Sequence, residues 1–180
     1  MAFVLRDGES KLIASAQRGD AEAFSELYRR HVDPIYRYML ARVGDPSTAE
    51  DLTSEVFMRA LESLGNFEDR GVPFAAWLYR IANARAVDFW RRTKHESLPI
   101  DELSPEFAVE MPGGDVFTYH ALSRALKHLT AEQQQVIVLR FVEGFSTSEI
   151  SQLMGRTEGA IKALQHRALA SLARLMDSQL

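Results

Sequence analysis

The sequence predicts an all-α protein, and three observations carry that prediction. Apolar residues recur at threes and fours along most of the chain, no run alternates apolar and polar residues between hairpin turns, and two helix starts carry both halves of a capping box. Those starts are Thr130 with Gln133 and Ser146 with Glu149. The 180 residues suit one large or two small domains, and 46% hydrophobic content is enough for a packed core. The chain has no cysteine, which removes disulfides, thiolate metal sites and cysteine catalysis, and fits a reducing compartment. No basic-then-apolar leader opens the sequence and no segment approaches a membrane span, so no membrane insertion and a cytoplasmic location are expected.

Taken in order, a short helix is expected over about 10–18, and Asp20 caps a second. Asp33-Pro34 reads as a fresh helix start carrying Ile35, Tyr36, Met39 and Leu40 inward. Gly44-Asp45-Pro46 is a turn. A helix over about 47–64 is expected to bury Leu52, Val56, Ala60, Leu61 and Leu64, and after a loop at 65–73 another runs from Phe74 to about Arg92. Pro99, Pro105, Pro112, Gly113 and Gly114, set among acids, resist a packed helix and read as a flexible linker. The expected organisation is therefore a helical domain at 1–94, an acidic linker at 95–114 and a second helical domain at 115–180.

The net charge of −4 conceals a pattern. Residues 1–69 carry −5, residues 70–94 carry +5, residues 95–119 carry −6, and residues 120–180 carry +2. Two basic patches separated by an acidic stretch grip phosphate only locally, so strong DNA binding by the free chain is not expected and a partner is.

Residues 144–168 have the layout of a helix-turn-helix. Ser146 and Glu149 start the first helix, Ile150, Leu153 and Met154 face inward, and Gly155 supplies the left-handed residue that ends it. Thr157 then caps a second helix. Its expected buried stripe is Ile161, Ala168, Leu169 and Leu172, leaving Lys162, Gln165, His166 and Arg167 for a major groove. Ordinary helical hairpins share this pattern, but caps, turn and polar outer face agree here at successive positions. The segment 67–92 mixes Phe67, Phe74, Trp77, Phe89 and Trp90 with Arg70, Arg80, Arg85, Arg91 and Arg92. Such a mixture suits unpaired bases, the rings stacking and the arginines meeting phosphate. The same aromatic residues also fit a buried helical stripe, and both readings stand. A catalytic role is not expected: there is no glycine-rich phosphate loop, no zinc spacing, no nucleophile–base pair, and no cofactor is called for.

The order of motifs, Ala49-Glu-Asp-Leu-Thr-Ser-Glu-Val-Phe-Met-Arg-Ala, then Phe74-Ala-Ala-Trp-Leu-Tyr-Arg-Ile-Ala, then an acidic linker and a helix-turn-helix, resembles bacterial sigma factors of the extracytoplasmic-function (ECF) class, in the sigma-70 family. The resemblance covers about 12–175. It implies a region 2 domain that binds core RNA polymerase and the promoter −10 element, a linker directed toward the RNA exit path, and a region 4 domain that binds the −35 element. It further implies transcription initiation at specific promoters, contacts to the β′ clamp helices and the β flap, and control by an anti-sigma factor. By position, Asp51, Leu52, Glu55, Phe57 and Arg59 fall on the helix that docks on the clamp. Phe67, Arg70, Pro73, Trp77, Arg80, Asn83 and Arg85 fall on the −10 surface, the loop 67–73 being where an extruded base is received. Arg156 and Thr157 fall where phosphate contacts are expected, and Lys162, Ala163, His166 and Arg167 fall on the −35 face. No metal-ligand cluster surrounds His166. The chain departs from the family where many members carry Gln at Ser54, Asn at Ala84, and Ser-Arg at Ala163-Leu164, so the promoter sequence does not transfer. The competing reading is a conventional helix-turn-helix regulator that binds an operator alone, and a third is a protein whose first domain only sequesters a partner.

Overall fold

The computed structural model describes residues 8–68, 73–95 and 116–177. Among them there are eight α-helices and no strand. Of the expected linker at 95–114, His95 belongs to the helix before it, and 96–114 lie outside the described residues, as does Arg70 in the loop before Pro73.

Helix α1 (Glu9–Gln17) leads through a tight turn to α2 (Ala21–Val43), where the Asp20 carboxylate accepts from the backbone N–H of Glu22 and Ala23. The expected break at Asp33-Pro34 does not occur, since α2 is continuous with Pro34 inside it. An interior proline forfeits one backbone hydrogen bond and costs about 3 kcal/mol. Burying Ile35, Met39 and Leu40, all at most 1% exposed, returns roughly 1.5–3 kcal/mol each, so packing outweighs the break. Gly44, with φ 79°, ends α2 in the left-handed conformation. Asp45 caps α3 (Pro46–Ser63), accepting from the Thr48 N–H at 2.7 Å, with Pro46 at the position where a missing N–H costs nothing.

Helix α3 buries Ala49, Leu52, Thr53, Val56, Phe57 and Ala60, but Leu61, expected inside, is 55% exposed. It stands one position round from Ala60, beyond the edge of the stripe that faces α2 and α4. A 3₁₀ turn at Leu64–Asn66 follows, and Phe67 closes the segment. Helix α4 (Phe74–His95) packs on α2 and α3 and completes the first unit.

The second unit comprises α5 (Val116–Leu126), α6 (Ala131–Ile137), α7 (Thr147–Met154) and α8 (Glu158–Asp177). Both capping boxes form as the sequence reading expects, at Thr130 with Gln133 and at Ser146 with Glu149. Helix α6 widens into a π turn over Val138–Val142, which the sequence pattern does not announce. Gly155, at φ 63°, ends α7 as expected. In α8, Ile161 and Ala168 are fully buried and Leu172 is half-buried, but Leu169 is 43% exposed and Leu164 takes the inward position instead. Positions 161, 164 and 168 follow a three–four spacing that leaves 169 one residue off the stripe.

The two units lie against each other. Helix α5 packs along α2, and α7 abuts α4, so the apolar core runs without interruption from one unit into the other.

Candidate nucleic-acid interface

The helix-turn-helix is seated by Ile150 and Leu153 from α7 and by Ile161, Leu164 and Ala168 from α8, all at most 9% exposed. That packing turns Lys162, Ala163, His166 and Arg167 outward on α8, all four exposed, with Gln165 half-buried at the margin. The Arg167 Nε donates to the Ala163 carbonyl, which lays the side chain along the helix. Thr157 Oγ1 accepts from the Ala160 N–H at 3.2 Å and caps the helix start. Arg156, beside it, is half exposed and forms an ion pair with Glu132 of α6. Position 164, where family members place an arginine, is therefore an inward position here, and Leu164 fills it.

The start of the loop at 67–73 is built from aromatic residues. Phe67 lies 5.6 Å from Phe74 and 5.0 Å from Trp77 between ring centroids, and His31 stands edge-on to Phe74. Phe67 and Phe74 are 8% and 1% exposed, so core packing describes both, while Trp77 and Pro73 keep part of their surface outside. Gln17 fixes the loop start, its amide donating to the carbonyls of Leu64 at 2.9 Å and Phe67 at 2.8 Å. Nothing in the local pattern around Gln17 announces a contact spanning fifty residues.

On α4, Arg80 is exposed, and Asn83 and Arg85 are half-buried. Arg42 lies beneath Asn83, 1% exposed, its Nη1 donating to the Tyr38 hydroxyl at 2.8 Å and to Asn83 Oδ1 at 3.0 Å. A guanidinium only donates, so the Asn83 oxygen is committed inward. Ala84, where the family pattern has an amide, is exposed, so Asn83 and Ala84 face different ways. The Arg85 guanidinium pairs with Asp88 at 3.6 Å.

Among the residues expected on the polymerase-docking helix, Asp51 and Arg59 are exposed and Glu55 is half-buried, whereas Leu52 and Phe57 are 3% and 5% exposed and belong to the core. Phe57 meets the partly exposed Tyr28 of α2 edge-on at 4.8 Å. The same outer face carries Met58 and Leu61, 64% and 55% exposed, of which the sequence reading does not single out Met58 and expects Leu61 inside.

Where the two units meet, Glu143 at the end of the π turn points into α2 and α4. Its Oε2 accepts from Arg37 Nη2 at 3.3 Å and from the Tyr79 hydroxyl at 3.1 Å. Burial pushes its carboxyl above the usual carboxylate range, partly opposed by Arg37 and by the Tyr79 hydrogen bond. The same burial, together with the carboxylate beside it, pushes the Tyr79 hydroxyl well above its ordinary value. Among the described residues no cluster of three His, Cys, Asp or Glu is arranged to hold a metal ion, and no helix is long and apolar enough to cross a membrane.

A helix-turn-helix with an outward polar face, joined to a helical unit whose exposed α4 arginine lies beside a partly exposed tryptophan, defines a DNA-directed binding protein. Comparison with known proteins makes this specific. The family Sigma-70 region 2 matches residues 27–96, and Sigma-70, region 4 matches residues 119–172. The ECF RNA polymerase sigma factor BldN of Streptomyces coelicolor is 41% identical over 175 residues, covering 92% of this chain and 65% of BldN, so the chain spans just under two thirds of that relative. The ECF sigma factor SigD of Mycobacterium tuberculosis is 32% identical over 170 residues, with 89% of this chain and 80% of SigD covered. The solved structure of CnrH in complex with the cytosolic domain of CnrY is 25% identical, covers 96% of this chain and 99% of CnrH, and superposes with a TM-score of 0.70. The sigma factor RpoE of Bartonella quintana, solved with the anti-sigma factor NepR, has the same fold at 24% identity and a TM-score of 0.64, covering 87% of this chain and 98% of RpoE. The chain belongs to the ECF class of the sigma-70 family.

Proposed function

We propose that this chain binds core RNA polymerase through the outer face of α3, opens the promoter −10 element against α4 and the loop at 67–73, and reads the −35 element with α8. Region 2 then corresponds to 1–94 and region 4 to 115–180. The observation that carries this reading is the face of α8: Lys162, Ala163, His166 and Arg167 are outward together while Ile161, Leu164 and Ala168 seat the helix from behind. A helix presented in this way enters a major groove with its long polar side chains on base edges and phosphates. On α3, Asp51, Glu55 and Arg59 supply charge and Met58 and Leu61 supply exposed apolar surface, the combination a docking helix needs. Leu52 and Phe57 shape that helix from the inside. At the −10 element, Trp77 offers a ring to an unpaired base, and Arg80 and Arg85 offer guanidinium groups to the strand.

We also propose control by an anti-sigma factor, the reading supported by RpoE having been solved with NepR. The chain directs chemistry that the polymerase performs and contributes no catalytic group of its own. Run-off transcription with purified core polymerase on a pool of genomic promoter fragments tests the reading. Discrete transcripts that require the chain are expected. Their absence, with specific duplex binding by the free chain, would establish the operator-binding regulator instead.

A further inference from the structure

Arg80 does not stand free in this structure. Helix α7 has eight residues, and its last turn leaves carbonyls that no helical N–H reaches. Arg80, from the other unit, donates through Nε to the Leu153 carbonyl at 3.1 Å and through Nη2 to the Gln152 carbonyl at 3.4 Å. It thereby caps the negative end of the first helix of the helix-turn-helix. The second attachment is Glu143. Its side chain is 3% exposed, Oε2 is held by Arg37 and Tyr79, and Oε1 is buried with no hydrogen-bond partner. Tyr79 also stacks edge-on against Phe145 at 5.3 Å, and the Lys127 ammonium sits 5.1 Å from the centre of the Trp90 ring.

These contacts share one geometry. The Arg80 guanidinium, which α4 offers to a nucleic-acid strand, and its buried neighbour Tyr79 are both taken up by the unit that carries the helix-turn-helix. A carboxylate is also the side-chain group nearest in chemistry to a backbone phosphate, and Glu143 sits where an anion meets Arg37 and Tyr79 together.

We propose that Glu143 is an internal latch: by occupying the Arg37–Tyr79 pair it seats region 4 on region 2, keeps Arg80 on the carbonyls of α7, and withholds that arginine from promoter DNA until the two units part. The blocking half of this inference rests on the promoter-binding reading of Arg80; the latch itself does not. Core polymerase or single-stranded DNA gains access by favouring the parted form, and the observed affinity of the free chain for DNA is reduced by the fraction of molecules that are closed.

The absence of cysteine makes the test direct, because two cysteines placed at Ser47 and Ala173, both exposed, are the sole labelling sites for a fluorescence energy-transfer pair. In the full chain, Glu143→Arg sets a like charge against Arg37 and is expected to lower transfer efficiency. Glu143→Gln keeps the hydrogen-bonding shape without the charge and is expected to stay closed. Arg37→Glu opens the chain from the other side, and the Arg37→Glu, Glu143→Arg exchange is expected to restore closure, which a variant that merely unfolds region 4 does not do. Binding to a labelled single-stranded −10 oligonucleotide is measured on the same samples and is expected to tighten by the factor by which the open population rises. Unchanged transfer in Glu143→Arg, or no recovery in the exchange, would overturn the latch. Opening with unchanged oligonucleotide affinity would overturn the blocking role, and if Arg80→Ala then also leaves that affinity unchanged, the fault lies with the promoter reading of Arg80.

Discussion

Replacing Arg167 by alanine separates DNA reading from folding. Arg167 is exposed and its Nε donates to the Ala163 carbonyl at 3.3 Å, a weak contact one helical turn back. Substitution of such a surface residue changes stability by no more than about 0.5 kcal/mol. An arginine reading a base edge in the major groove is worth about 1–3 kcal/mol of discrimination, which is roughly a 5- to 150-fold loss of affinity for the correct −35 sequence. The assay is competition binding of the reconstituted holoenzyme to a promoter fragment and to the same fragment with a scrambled −35 element, at fixed salt, with thermal melting of the free variant alongside. The predicted outcome is loss on the correct fragment, little change on the scrambled one, and an unchanged melting temperature. Equal loss on both fragments would assign Arg167 to phosphate, and a lowered melting temperature would make it structural; either refutes the reasoning.

Three further outcomes follow from the packing. Ser146→Ala removes the cap that holds the Glu149 N–H and is expected to cost about 1 kcal/mol, or roughly 2–4 °C in melting temperature for a chain of this size; no shift would show that α7 is held by packing alone. Phe74→Ala empties a site that is 1% exposed and bordered by Phe67 and Trp77, at an expected cost of about 3–5 kcal/mol by urea unfolding, with loss of promoter opening. Because burial raises the Glu143 pKa, the closed form binds more protons than the open one between the ordinary glutamate value and the raised one. Closure is therefore strongest at low pH and weakens as pH rises through that window, the facing groups being Arg37, Tyr38, Tyr79 and Tyr119. Energy transfer between labels at 47 and 173 checks the sign, and tightening with rising pH would contradict it.

The fold was legible where local chemistry decides. Asp20, Thr130 and Ser146 announce helix starts because each offers a short side-chain oxygen to an orphan N–H, and Gly155 announces a helix end because it takes a positive φ, whereas Gly44 and Asp45, expected only as part of a turn, prove to end α2 and cap α3. Pro34 misled because proline is a common first helical residue, and only the buried stripe on both sides of it shows that α2 continues. Leu61 and Leu169 misled because a leucine one position off a helical stripe has the same composition signal as one on it.

The site was legible in part for the same reason. The outward face of α8 follows from its period, whereas the aromatic residues of 67–92 left stacking and core packing open until burial assigned Phe67 and Phe74 to the core. Gln17, Arg42 and the Arg37–Glu143–Tyr79 group were invisible, since each joins positions 40 or more residues apart and none belongs to a periodic pattern. The packing of region 4 on region 2 was invisible for the same physical reason: Arg80 contacts backbone carbonyls, which carry no side-chain signature.

The central claim, that one chain both opens a −10 element and reads a −35 element for the polymerase, is tested most directly by permanganate footprinting of the reconstituted holoenzyme on a promoter selected by run-off transcription. The account predicts reactive thymines at −10 that require the chain and weaken in Trp77→Ala, together with protection at −35 that weakens in Arg167→Ala. Duplex protection without reactive thymines, unchanged when core polymerase is omitted, would contradict it.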